Sequence, residues 1–150
     1  MKTICKVVFL LVIVLTSCSK KPYTQRIKSV SDCTYCSSYW SWNNGVASIK
    51  DVDDGASFDI KAIISGDFSF SYKIVNDSYE DYIRVSGGVS YRDDVETGWK
   101  HVNAGHVDAG KTILVWGNNC SIKDIKIKGY IEAEAPEPEP QEPDVNPWDF

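Results

Sequence analysis

Nearly every patterned stretch between residues 29 and 131 alternates apolar and polar positions with a period of two. Phe68, Phe70, Tyr72 and Ile74 alternate with Ser69, Ser71 and Lys73. Phe58, Ile60 and Ala62 alternate with Asp59 and Lys61, and Ile125, Ile127 and Ile131 with Lys126, Lys128 and Tyr130. Successive side chains of a strand point to opposite faces, so this is the pattern of strands with one face buried and one in water. Shorter β-rich runs stand at 82–85, 89–91, 99–102 and 113–116. Gly-, Asn- and Asp-rich turn signals separate them at 53–55, 65–67, 76–78, 87–88, 103–105 and 117–119. No stretch carries a helical apolar stripe. Strands at this spacing over about 100 residues predict an all-β fold, an antiparallel β-sandwich.

The flanks read differently. Lys2 and Lys6 precede nine unbroken apolar residues, Val7 to Leu15, which is the order of a secretory signal. Nine residues reach about 14 Å as a helix, too short for a bilayer core of roughly 30 Å. The run ends Leu15-Thr16-Ser17-Cys18 and resembles the lipobox of bacterial lipoproteins. That resemblance implies cleavage of residues 1–17, a diacylglycerol on the Cys18 thiol and acylation of the new amino group. Several acyl chains, at about 0.8 kcal/mol per buried methylene, hold a protein lastingly. Ser19 follows where an inner-membrane retention signal has aspartate, so the expected address is the outer membrane of a Gram-negative bacterium, on the periplasmic side. Residues 18–28 are polar and basic and read as a tether, and residues 29–131 as the sandwich domain.

Charge sharpens this division. The net charge of −5 resolves into +2 in the signal, a balanced body and −7 in residues 132–150. A balanced body lacks the massed Lys and Arg of a phosphate-tracking surface, so nucleic acid is set aside as a partner. The last 19 residues hold five of the six prolines and predict an extended, disordered acidic tail. It ends on Trp148 and Phe150, which are either an unselected end or a short motif whose rings enter a partner's groove.

Cys33, Cys36 and Cys120 remain after the signal is removed and Cys18 acylated. Export meets an oxidising compartment, where disulfides are the default, so Cys120 is expected to bridge Cys36 or Cys33. Closing a loop of about 85 residues stabilises by around 4 kcal/mol on the chain-entropy model. Cys33-Thr34-Tyr35-Cys36 has redox-motif spacing but lacks the helix that lowers the pKa of such thiols. A zinc site of three cysteines with His101 or His106 is a further option, disfavoured where oxidation competes.

Among candidate sites, Asp51, Asp53 and Asp54 before Gly55 have calcium-ligand spacing without the distal glutamate of an EF-hand, so calcium is the one cofactor considered. The acidic pairs Glu80-Asp81 and Asp93-Asp94 with Glu96 have no partner set for acid–base work. The sequence holds no Ser-His-Asp signature, phosphate loop or paired metal-binding histidines, so the reading is a binding protein, not an enzyme. Tyr39, Trp40 and Trp42 are the ligand candidates: alternation puts both tryptophans on one face, either in the core or as a stacking platform.

The stretch from Ser57 to Ile127 resembles jelly-roll modules of MAM type and carbohydrate-binding type. The resemblance is carried by residues 68–74, Tyr82-Ile83-Arg84-Val85, Trp99 with Val102, Gly110, Trp116 and Asp124-Ile125. It departs at Lys123, which stands where a second acidic residue would support calcium. What it implies is a membrane-anchored binding or adhesion module for a glycan or a protein. The alternative is an envelope assembly, inhibitor or immunity lipoprotein that binds another envelope protein, through the Trp148 and Phe150 tail.

Overall fold

The computed structural model describes residues 19–74, 81–86, 89–92 and 98–133. The signal and Cys18, the tail from residue 134 with Trp148 and Phe150, Glu80, and Asp93, Asp94 and Glu96 lie outside them. So do the expected turns at 76–78 and 87–88.

Eleven strands follow in chain order: β1 (Lys20–Ile27), β2 (Tyr35–Cys36), β3 (Ser41–Asn43), β4 (Val46–Ile49), β5 (Ala56–Lys61), β6 (Gly66–Ile74), β7 (Tyr82–Val85), β8 (Val89–Tyr91), β9 (Lys100–Val107), β10 (Thr112–Asn118) and β11 (Cys120–Glu132). They form two antiparallel sheets. Sheet A runs β3-β4-β11-β6-β9, with β1 also paired to β11; sheet B runs β2-β5-β10-β7-β8. The expected all-β antiparallel class is what the chain adopts.

Strand β11 organises sheet A. One edge pairs with β6, while the other is shared by β4 near Cys120 and by β1 from Ile125 to Glu132. The strand keeps its apolar side inward only because it is interrupted. Ile122 and Ile125 are both buried although three apart, an odd spacing that would place them on opposite faces of a regular strand. A bulge sets Asp124 and Ile125 opposite the single residue Phe70, with Asp124 at φ 54°, and so restores the phase.

The core fills the space between the sheets. Phe68, Phe70 and Tyr72 of β6 and Ile122, Ile125 and Ile127 of β11 meet Phe58, Ile60, Ile83 and Val115 of sheet B. Burying each such side chain stabilises by about 1.5–3 kcal/mol. The β3–β4 hairpin turns on two residues, Asn44-Gly45, both at positive φ (49° and 77°), the conformation that an Asn-Gly hairpin supplies.

Three expectations change. Residues 20–27, read as part of a tether, form β1. Only Ile27 is apolar and inward there, so no periodicity announced the strand. Buried Gln25 secures it: its amide donates to the Lys61 carbonyl (2.8 Å) and accepts from the Ile63 N–H (2.9 Å), tying sheet A to the end of β5. Residues 103–105, read as a turn, are a second bulge within β9, where the register slips opposite Phe68 and Ser69 and Gly105 takes φ 96°. Ile131, read as core, is exposed, because β11 continues beyond the first residue of β6.

Candidate functional site on the outer face of sheet A

Two of the three aromatics expected as a ligand platform belong to the core. Trp40 is 5% exposed. Its indole N–H donates to the Ala56 carbonyl at 3.0 Å, and its ring meets Phe58 edge-on at 5.0 Å. Trp42 packs against the same ring at 5.4 Å. The two do share a face, as alternation predicted, but it is the inner one, where large flat rings fill the gap between sheets. Tyr39, just outside β3, is 63% exposed.

Tyr39 lines a cavity of about 270 Å³ with Ser41, Ser48, Lys50 and Ser121. This cavity opens on the outer face of sheet A, whose central positions are small hydroxyls. The Ser48 and Ser121 hydroxyls are 2.8 Å apart across the β4–β11 pair. One step along, Lys123, Ser71 and His101 stand in a row across β11, β6 and β9. The Ser71 hydroxyl lies 3.4 Å from His101 Nδ1. Above that row the Lys123 ammonium sits 4.2 Å from the centroid of Trp99, which is 41% exposed. Lys123 and Trp99 flank β6 from opposite sides, so the cation–π pair reaches across Ser71. Beside the Asp124 bulge, Arg26, Lys28, Asn44, Val46 and Lys123 line a further cavity of about 300 Å³. Bulges re-aim side chains where regular pairing would leave a flat sheet, and this one opens that cavity between β1 and β4.

The face thus offers hydroxyls, an imidazole, ammonium and guanidinium groups and two exposed rings. Such a set hydrogen-bonds and stacks. The pattern signal for it was the hydroxyl positions of β6 and β11, opposite the core residues; neither Trp99 nor Lys123 stood out as a site residue by spacing.

The remaining candidates have structural placements. Asp51, Asp53 and Asp54 lie exposed in the β4–β5 turn. That turn is held by the Asp51 N–H donating to Asn119 Oδ1 (2.8 Å) and by Trp116 Nε1 donating to the Asp54 carbonyl (3.1 Å). Gly55 is required at its end, where a Cβ would strike the Gly117 carbonyl and φ is 73°. Among the described residues, no three His, Cys, Asp or Glu side chains converge as a metal-binding group. Asp81 is buried, and one carboxylate oxygen accepts from Asn119 Nδ2 at 2.8 Å, clamping the turn between β10 and β11. His106, exposed, lies 3.6 Å from Asp67 and 3.7 Å from Asp108.

The expected bridge from Cys120 to Cys36 or Cys33 is not formed: all three are free thiols. Cys120 is fully buried against Gly117, where Trp40 also packs. Burial raises its pKa, a hydrogen bond with the Asn118 backbone offsets part of that rise, and the Asp81 carboxylate adds a smaller increase. Cys33 is pushed up to about 12, chiefly by desolvation, then by Cys36, Asp32 and Asp59. Raised thiols are poor nucleophiles, the reverse of a redox pair.

No family model matches the chain, and no curated protein matches it. Among solved structures it is similar to a ruminal GH26 endo-β-1,4-mannanase, with 19% identity and a TM-score of 0.36 over 79% of this chain. The chain spans 27% of the mannanase chain, about a quarter of its length.

Proposed function

We propose that this protein is an envelope lipoprotein, acylated at Cys18, whose sandwich is a non-catalytic binding module that takes a glycan on the outer face of sheet A. The observation that carries the reading is the Trp99 ring, 41% exposed, with Lys123 and His101 set around the buried Ser71, and Tyr39 over the adjoining serine-lined cavity. A ring for stacking, hydroxyls and cations for hydrogen bonding, and an open rather than enclosed shape fit an extended polyhydroxyl chain. A protein partner fits this face less well, since serine and lysine are depleted where proteins dock. The anchor sets the compartment as the outer membrane.

Binding of the processed chain to an array of bacterial and plant polysaccharides tests the proposal. Trp99→Ala and Tyr39→Ala are each expected to weaken the best ligand at least tenfold while the melting temperature holds. Retention of full affinity by the double variant would overturn the assignment of this face. Intact-mass measurement of the membrane-extracted protein tests the acyl groups on Cys18.

A further inference from the structure

The end of sheet A that lies next to Cys18 has an unusual surface. Strand β6 begins at Gly66, opposite Gly129, but β11 and β1 continue together past that point. The pairs Pro22↔Tyr130, Lys21↔Ile131 and Lys20↔Glu132 therefore form a two-stranded ribbon extending about 10 Å beyond the sheet. Isolated two-stranded ribbons are marginal in water. This one also exposes apolar groups: Tyr130 is 63% exposed, and Tyr23 and Ile131 are exposed beside it.

A second element joins it. Ile63, 60% exposed, is held at the same end because its N–H donates to Gln25. The loop that follows it packs its Ser65 carbonyl against Gly129, so closely that no Cβ fits there. Lys20, Lys21 and Lys128 stand among these groups, with Glu132 opposite Lys20, and a cavity of about 370 Å³ opens between Tyr23, Asp67, Lys128 and Tyr130. Tyrosines, isolated aliphatic side chains and lysines are the groups that settle at a lipid headgroup layer.

We infer that this ribbon, with Ile63, is a membrane seat that rests directly on the lipid headgroup surface. The occupant follows from chain continuity: Ser19, whose carbonyl accepts the Ala133 N–H at 2.9 Å, is the residue bonded to Cys18. The orientation rests on acylation at Cys18. With the anchor one residue from the first rung, no spacer separates lipid from fold, so the ribbon is pressed into the interface. The Tyr39 cavity, near Cys120 at the other end of β11, then stands about 40 Å above the lipid.

The seat is tested with acylated protein in vesicles of phosphatidylcholine mixed equally with phosphatidylglycerol, by measuring lysine acetylation rates by mass spectrometry. Lys20, Lys21 and Lys128 are expected to react about tenfold more slowly than in detergent, while Lys50 at the far end is unchanged. Equal rates at all four would overturn the seat, as would the same protection without vesicles, which marks a dimer. A second arm uses the processed chain with Cys18→Ser, which has no anchor. It is expected to sediment with the same vesicles, and Tyr130→Ser with Ile131→Ser to lower that partitioning at least tenfold. Sedimentation no greater than in a vesicle-free control would count against the seat whatever the state of Cys18. An unmodified Cys18 in the intact mass removes the lipoprotein reading and leaves the second arm to decide the surface alone.

Discussion

The two faces of β6 and β11 are built by the same eight paired rungs of chain and do opposite things. Inward, Phe68, Phe70, Tyr72, Ile122, Ile125 and Ile127 interlock with sheet B. Outward, Ser121 and Lys123 with the buried Ser69 and Ser71 form a low floor edged by Trp99. One face takes large apolar side chains and the other small or polar ones, from alternate residues of one sequence. Ring type does not decide which side a residue serves, since Trp40, just before β3, and Trp99, just before β9, are the same residue in opposite settings.

Substitutions can break that contrast. The largest effect is expected inside: Phe58→Ala or Trp40→Ala should lose about 3–5 kcal/mol of unfolding free energy in a urea titration, since each leaves a cavity between Trp40, Trp42 and Phe58. A loss below about 1 kcal/mol would place those rings outside the core. Next comes the joint between the sheets. Gln25→Leu leaves the Ile63 N–H and the Lys61 carbonyl without the amide and is expected to cost about 1–3 kcal/mol.

A third effect is pH-dependent. In the unfolded chain a thiol ionises near pH 8.5, whereas Cys33 in the fold holds its proton to about 12 and Cys120 is raised as well. Above the unfolded value the unfolded chain binds fewer protons, so stability falls as pH rises toward 12 and is complete below about 8.5. Melting temperatures at a series of alkaline pH values should show the fall, and Cys33→Ser with Cys120→Ala should flatten it. The smallest effect is expected outside: Trp99→Ala should change unfolding free energy by no more than about 0.5 kcal/mol, as surface substitutions do, while acting on ligand binding. A destabilisation of several kcal/mol would move Trp99 into the core set.

Legibility followed the same division. The sandwich was readable because buried strands repeat large apolar residues at a fixed period, and that repetition is long enough in β5, β6 and β11 to exclude other elements. β1 escaped because an edge strand needs few inward apolar residues; Gln25 does with hydrogen bonds what its neighbours do with packing. The bulges at Asp124 and Gly105 escaped because a phase slip appears in sequence only as a broken pattern, which at Gly105 looks like a turn. The outer face was legible only as the complement of the core. Its row of Lys123, Ser71 and His101 joins residues 52 and 30 positions apart, a register that depends on one bulge. The tryptophan platform was misassigned because alternation gives the shared side of Trp40 and Trp42 without saying which side.

The pairing of β1 with β11 also settles how the domain bears load. Its eight pairs begin at Lys20 and Glu132, so the chain enters and leaves the domain at one point. A pull that separates residue 19 from residue 133 opens this ladder as a zipper, one rung at a time and at low force. A pull on the sandwich body against residue 19 runs along β1 and must shear all eight rungs together. A load on the sandwich body against residue 19 therefore meets the strong direction, and a load between residues 19 and 133 the weak one.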